Sequence, residues 1–183
     1  MEDIITSVEG NIPHVSERDS PGPDLVGWIQ EQWRRERPDL DVAPIGLIGR
    51  LHRLGARLNE ELLLVYSHYE LGEGEFDVLA TLRRTGPPYE LVAGEIARYT
   101  IVTSGAVTKR VDRLEAAGLV SRRPSAQDAR SRVVALTEAG LRVIDAAFTA
   151  HIRNELRLVE TLTPEEQATL EGLLAKWLAA FDG

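Results

Sequence analysis

Residues 104–140 read SGAVTKRVDRLEAAGLVSRRPSAQDARSRVVALTEAG. In the first half, Val107, Val111 and Leu114 fall on one narrow stripe at about 100° per residue, so a helix over 104–117 must turn that stripe to a core. Gly105, Thr108, Lys109 and Asp112 then lie on the solvent side. Gly118 suits the left-handed position just beyond a helix C-terminus and ends the element. Short extended segments over 119–123 and 132–136 flank PSAQDARS, which makes a hairpin of the second half. Arg122, Arg123, Arg130 and Arg132 surround its turn, with only Asp128 inside it to offset them.

That charge is local. Residues 104–132 hold seven basic and three acidic side chains, a balance of +4, in a chain whose formal net charge is −8; the remainder therefore carries −12. A helix whose outer face is small, hydroxylated and singly basic can enter a major groove. Ser104 and Thr108 can bond phosphates there, and Lys109 can reach purine acceptors. Taken alone, the helix is better read as an ordinary amphipathic surface helix with a solvated outer face. The hairpin weighs against that reading, because exposed ion pairs contribute only about 0–1 kcal/mol and give an arginine-rich tip little structural use. As a minor-groove or phosphate probe the tip has a clear use, with Arg130 reaching in and Asp128 orienting it. Gly105, Arg113 and Arg132 complete the candidate DNA-binding set with Ser104, Thr108, Lys109 and Arg130.

Working outward, residues 1–22 lack apolar periodicity and end in a turn-rich DSPGPD, as a mobile tail would. Asp24 can cap a helix over 24–37, closed by Pro38. A longer helix is expected over 44–69, where Ile45, Ile48, Leu51, Leu54, Leu58, Leu62, Val65 and Tyr69 keep one stripe. A third helix over 75–84 stops at Gly86-Pro87-Pro88, and a short one follows over 91–99. Beyond the hairpin, Thr137 caps a long helix over 138–162, and the capping box Thr163-Pro164-Glu165-Glu166 launches the last, over 164–181. The fold class expected is mainly α (α+β): a winged helix-turn-helix with long N- and C-terminal dimerisation helices. The blocks are 1–22 as tail, 23–69 as N-terminal helices, 70–137 as the DNA-binding block and 138–183 as C-terminal helices.

With 183 residues, 43% hydrophobic and 27% charged, the chain has the make-up of a soluble globular protein long enough to bury a core. No apolar run approaches the roughly 20 residues of a membrane helix, and the acidic MEDIITSVEG start lacks a signal peptide's apolar region. There is no cysteine, which excludes disulfides, thiolate catalysis and Cys-based zinc sites and suits a cytoplasmic protein. An enzyme is not expected: no HExxH, GxSxG, P-loop or dinucleotide fingerprint occurs. His14, His52, His68 and His151 are scattered, His52 and His68 lying about 24 Å apart along one helix. No cofactor is expected. A winged-helix protein–protein adaptor and a metal-responsive regulator stand as alternatives.

The stretch 104–140, through VTKRVDRLEAAGLV and the DxR-S wing running into LTEAG, resembles the MarR family of transcriptional regulators, and the likeness extends over about residues 44–181. The resemblance implies a homodimer with intertwined terminal helices that binds double-stranded DNA at a pseudo-palindromic operator, usually represses, and lets go when a small ligand binds. Independently, the apolar stripes Leu156, Val159, Leu162 and Leu170, Leu173, Leu174, Trp177, Leu178 exceed what a small wing domain needs, although an intramolecular core is the other use for them.

The additional helix before the long one, carrying Trp33 in IQEQWRRER, resembles the urate-responsive subgroup of that family. By that resemblance Trp33 and Arg123 would hold a flat anionic purine, Asp77 would sense its charge, and Arg110 would pass displacement to the recognition helix. The implied effector is a small anion, urate or another organic acid such as a tricarboxylate. The plainer roles stay open beside it: Trp33 as a packing residue, Asp77 and Arg110 as an ion pair, Arg123 as a phosphate contact.

Overall fold

A computed structural model describes residues 24–100, 107–125 and 131–181. The described elements run α1 (Leu25–Glu36), α2 (Ala43–Ser67), α3 (Glu73–Arg84), β1 (Glu90–Val92), α4 (Ala93–Tyr99), α5 (Val107–Ala116), β2 (Val120–Pro124), β3 (Arg132–Leu136), α6 (Glu138–Val159) and α7 (Pro164–Leu178). They divide into two compact units, the boundary falling between Ala56 and Arg57 inside α2.

In the N-terminal unit, Asp24 caps α1 as its position suggests: the Gly27 amide donates to its carboxylate at 2.8 Å. That bond first, and then the Arg50 guanidinium bonded to the same carboxylate, hold the Asp24 carboxyl below its ordinary range. Buried Gln30 donates to the carbonyls of Val42 (3.0 Å) and Ala43 (3.2 Å), and Val26 packs where Gly49 leaves room. The carbonyls at the start of α2 thereby satisfy the side-chain amide that the docking of α1 buries.

The second unit is built around α3, whose Val78, Leu79 and Leu82 are fully buried. Against it lie Val107, Val111 and Leu114 of α5, Ile96 of α4, Ile144 and Ala147 of α6, and Val120 and Val134 of the sheet. The expected stripe of α5 is thus the face that packs, and Gly118, at φ +71°, is left-handed as its place in the sequence indicates. Thr137 caps α6 through the Gly140 amide, and Thr163 and Glu166 form the reciprocal capping box of α7.

The structure departs from the sequence reading in one element. Residues 90–92 are a strand where a helix over 91–99 was expected to begin, so the sheet has three strands in the order β1-β3-β2. Both pairings are antiparallel, with Leu91 opposite Val134 and Arg122 also opposite Val134. Side chains alternate across a strand. Val120, Arg122, Val134 and Leu91 therefore share the face turned to the core, while Ser121, Arg123, Val133, Glu90 and Val92 share the other.

No described helix is long and apolar enough to cross a membrane. Large apolar side chains nevertheless stand in solvent in both units: Leu47, Ile48, Leu51 and Leu54 in the first, and Leu156, Leu173 and Leu178 in the second.

Candidate nucleic-acid interface

The solvent face of α5 carries exposed Thr108, Lys109 and Asp112, set there because Val107, Val111 and Leu114 are at most 5% exposed. Ser104, Gly105 and Arg130, which belong to the same candidate set, lie outside the described residues. Arg132 is exposed at the start of β3, opposite Pro124.

Two arginines one turn apart on α5 reach back onto the first turn of α3. The Arg110 side chain lies across Gly74, so closely that a Cβ there would collide with its guanidinium stem. Its Nη1 is buried and has no hydrogen-bond partner among the described residues. Arg113 donates from Nη1 to the nearly buried Glu75 at 2.8 Å, while its side chain remains 71% exposed. One end of Arg113 is therefore anchored, and most of it faces solvent.

The hairpin arginines divide by strand parity. Arg122, on the core-facing side, bonds both carboxylates of the outer half of α5: Glu115 at 2.8 and 2.5 Å and Asp112 at 2.7 Å. These partners raise the Arg122 guanidinium above its ordinary range, Glu115 contributing more than Asp112, and Arg122 in turn holds the Glu115 carboxyl below its own. Arg123 projects from the opposite face and donates to Glu90 of β1 at 2.6 Å. The positive charge available at the hairpin is thus smaller than its composition indicates. Glu75, Glu90, Asp112 and Glu115 are the residues that the sequence reading left without a role. Strand parity alone would have sent Arg122 and Arg123 to different faces, but their carboxylate partners depend on the register with β1 and on how α5 packs.

Of the candidate effector residues, Asp77 is half-buried on α3 between Phe76 and Val78, engaged rather than free, and one turn beyond the Gly74 on which Arg110 rests. Arg110 and Asp77 thus share the α3–α5 contact, whereas Arg123 is on the outer face of the sheet. Trp33 belongs to the N-terminal unit, where it is 48% exposed and lines a cavity of about 440 Å³ with Gln32, Arg35 and Glu36. Among the described residues, no group of three or more His, Asp or Glu side chains could hold a metal ion.

Comparisons with known proteins agree on this architecture. The MarR family model matches residues 71–131, which run from just before α3 to just before β3. The transcriptional regulator PecS of Dickeya dadantii is 40% identical over 151 residues, 82% of this chain and 91% of its own length. The multiple antibiotic resistance protein MarR of Escherichia coli is 31% identical over 141 residues, covering 75% of this chain and 93% of its own. A crystal structure of an E. coli MarR mutant complexed with operator DNA superposes with a TM-score of 0.65 at 26% identity, over 80% of this chain and 97% of that one. The Streptomyces coelicolor regulator Sco3205, solved in complex with DNA, shares the fold at a TM-score of 0.68 over 76% of this chain and 92% of its own.

Proposed function

The chain belongs to the MarR family of DNA-binding transcriptional regulators, which are not enzymes, and from that premise we propose a homodimeric repressor of a pseudo-palindromic operator, released by a small anionic effector. The observation that carries the DNA reading is the polarity of α5. Its apolar stripe is spent on the core around α3, and Thr108 and Lys109 are left exposed. On this reading Ser104, Gly105, Thr108, Lys109 and Arg113 meet the major groove, and Arg130 and Arg132 meet the backbone or minor groove beside it. The likeness to a protein solved on operator DNA supports the placement of that helix.

Dimerisation is supported by the apolar side chains left in solvent on α2, α6 and α7, among them Leu51, Leu54, Leu156, Leu173 and Leu178. In this arrangement 23–69 and 138–183 are the dimerisation segments, 70–137 is the reading head, and the protein acts in the cytoplasm. For the effector, the sequence resemblance assigns Trp33, Asp77, Arg110 and Arg123. The buried Nη1 of Arg110, without a hydrogen-bond partner among the described residues, supports a role in signalling.

Two measurements test the proposal. Lys109→Ala and Arg132→Ala should each weaken operator binding and lower the slope of log K against log salt by about 0.9, the value of one lost phosphate contact. Retained affinity and slope in both would remove α5 and the wing base from DNA. Calorimetric titration of urate should give heat with the wild type and none with Trp33→Ala; no heat from the wild type excludes urate as the effector.

A further inference from the structure

We infer that Arg122 is a positioning residue for DNA reading, fastening wing strand β2 to the recognition helix α5 through Asp112 and Glu115 and making no phosphate contact of its own. The inference rests on the DNA-reading function proposed above. Asp112 and Glu115 are three residues apart on α5, so their side chains rise from adjacent places on one helix face. Arg122 is directed toward them because it shares its strand face with core residue Val120, which pairs with Leu136. A planar guanidinium can bond two carboxylates at once, and this one does: Nε and Nη2 to Glu115, and Nη2 to Asp112.

The clamp has two consequences. It fixes the angle between the wing and the helix, so that hairpin and helix meet DNA as one body. It also pairs two carboxylates that the helix would otherwise carry unopposed toward a polyanion. The Arg122 side chain is only 27% exposed, against 54% for Arg123, and the donors of its Nε and Nη2 are already directed at protein oxygens. Two negative charges against one positive leave no surplus for phosphate. Of the two adjacent arginines, Arg122 therefore acts within the reading head.

A double-mutant cycle tests this, using the full-length protein and the duplex from its own upstream region that it protects. Arg122→Gln should lower affinity about ten-fold in the wild-type background and less than about two-fold when Asp112→Asn and Glu115→Gln are already present. The salt slope should be unchanged by Arg122→Gln in that neutralised background. Arg122→Lys keeps the charge but loses the fork, and should fall nearer to Arg122→Gln than to the wild type. If Arg122→Gln fails to fold, Arg122→Lys carries the same cycle. An equal loss in both backgrounds with a slope lower by about 0.9 would identify Arg122 as a phosphate contact and overturn the inference, as would no loss in either. A wild type that binds no duplex contradicts the DNA-reading function itself, a result separate from either outcome of the cycle.

Discussion

Gly74 and Gly140 are both buried in the first turn of a helix, yet a methyl group added at each meets a different kind of obstacle. At Gly74 it meets the far end of the flexible Arg110 side chain; at Gly140 it meets the backbone carbonyl of Leu119, which is held in turn by Thr137. Gly74→Ala should therefore keep or raise stability, by up to about 1 kcal/mol from helix propensity, while pushing Arg110 off its seat and altering operator affinity. Gly140→Ala should cost about 1–3 kcal/mol, because neither the strand entry nor the helix can yield without repacking. Chemical denaturation with operator titration separates the two. Equal destabilisation by both would mean that Arg110 is as rigid as backbone. Neither contact can be read from the sequence, since each joins residues far apart in the chain. The inward lean of Arg110 is legible, because it lies about 60° from the Val107–Val111–Leu114 stripe.

Three helices meet at an aromatic cluster that couples the core to the long helices. Tyr66 of α2 stacks on Phe76 of α3 at 4.2 Å between ring centroids, and its hydroxyl lies 3.2 Å from Nδ1 of His151 on α6. His151 in turn faces Glu155 through Nε2 at 3.2 Å, so a proton on Nε2 lets Tyr66 donate to Nδ1. Burial first, then the negative charges of Glu155, Glu73 and Asp77, push the Tyr66 hydroxyl from 10 up to about 12. With the folded value above the unfolded one, its contribution of roughly 2–3 kcal/mol is fully present below pH 10 and is lost as pH rises through about 12. Unfolding free energy measured from pH 9 to 12 should fall more steeply for the wild type than for Tyr66→Phe; parallel curves would contradict the assignment. The helices themselves follow from periodicity and from the capping residues Asp24, Thr137 and Thr163, whose partners are local. Strand β1 does not, because Glu90-Leu91-Val92 is too short to carry a period and is extended only by pairing with β3.

At the level of the molecule, an acidic chain presents a small set of basic groups at one hairpin and one helix, and Arg113, Arg122 and Arg123 among them are already paired with carboxylates. Family membership was legible in residues 104–140, where order and spacing are dictated by a local helix–turn–hairpin. The carboxylates that engage Arg113, Arg122 and Arg123 were not, because each comes from a different element, α3, α5 and β1 in turn. Such partial neutralisation lowers non-specific attraction to DNA and leaves recognition to sites that fit the helix and wing together. Nuclease footprinting of the protein on its own upstream region, with and without urate or a tricarboxylate, tests this most directly. The expected pattern is a two-fold symmetric protected stretch with half-sites a whole number of helical turns apart, lost when the effector is added. Uniform weak protection along the fragment, or a single unpaired half-site, is incompatible with a dimeric operator-reading regulator.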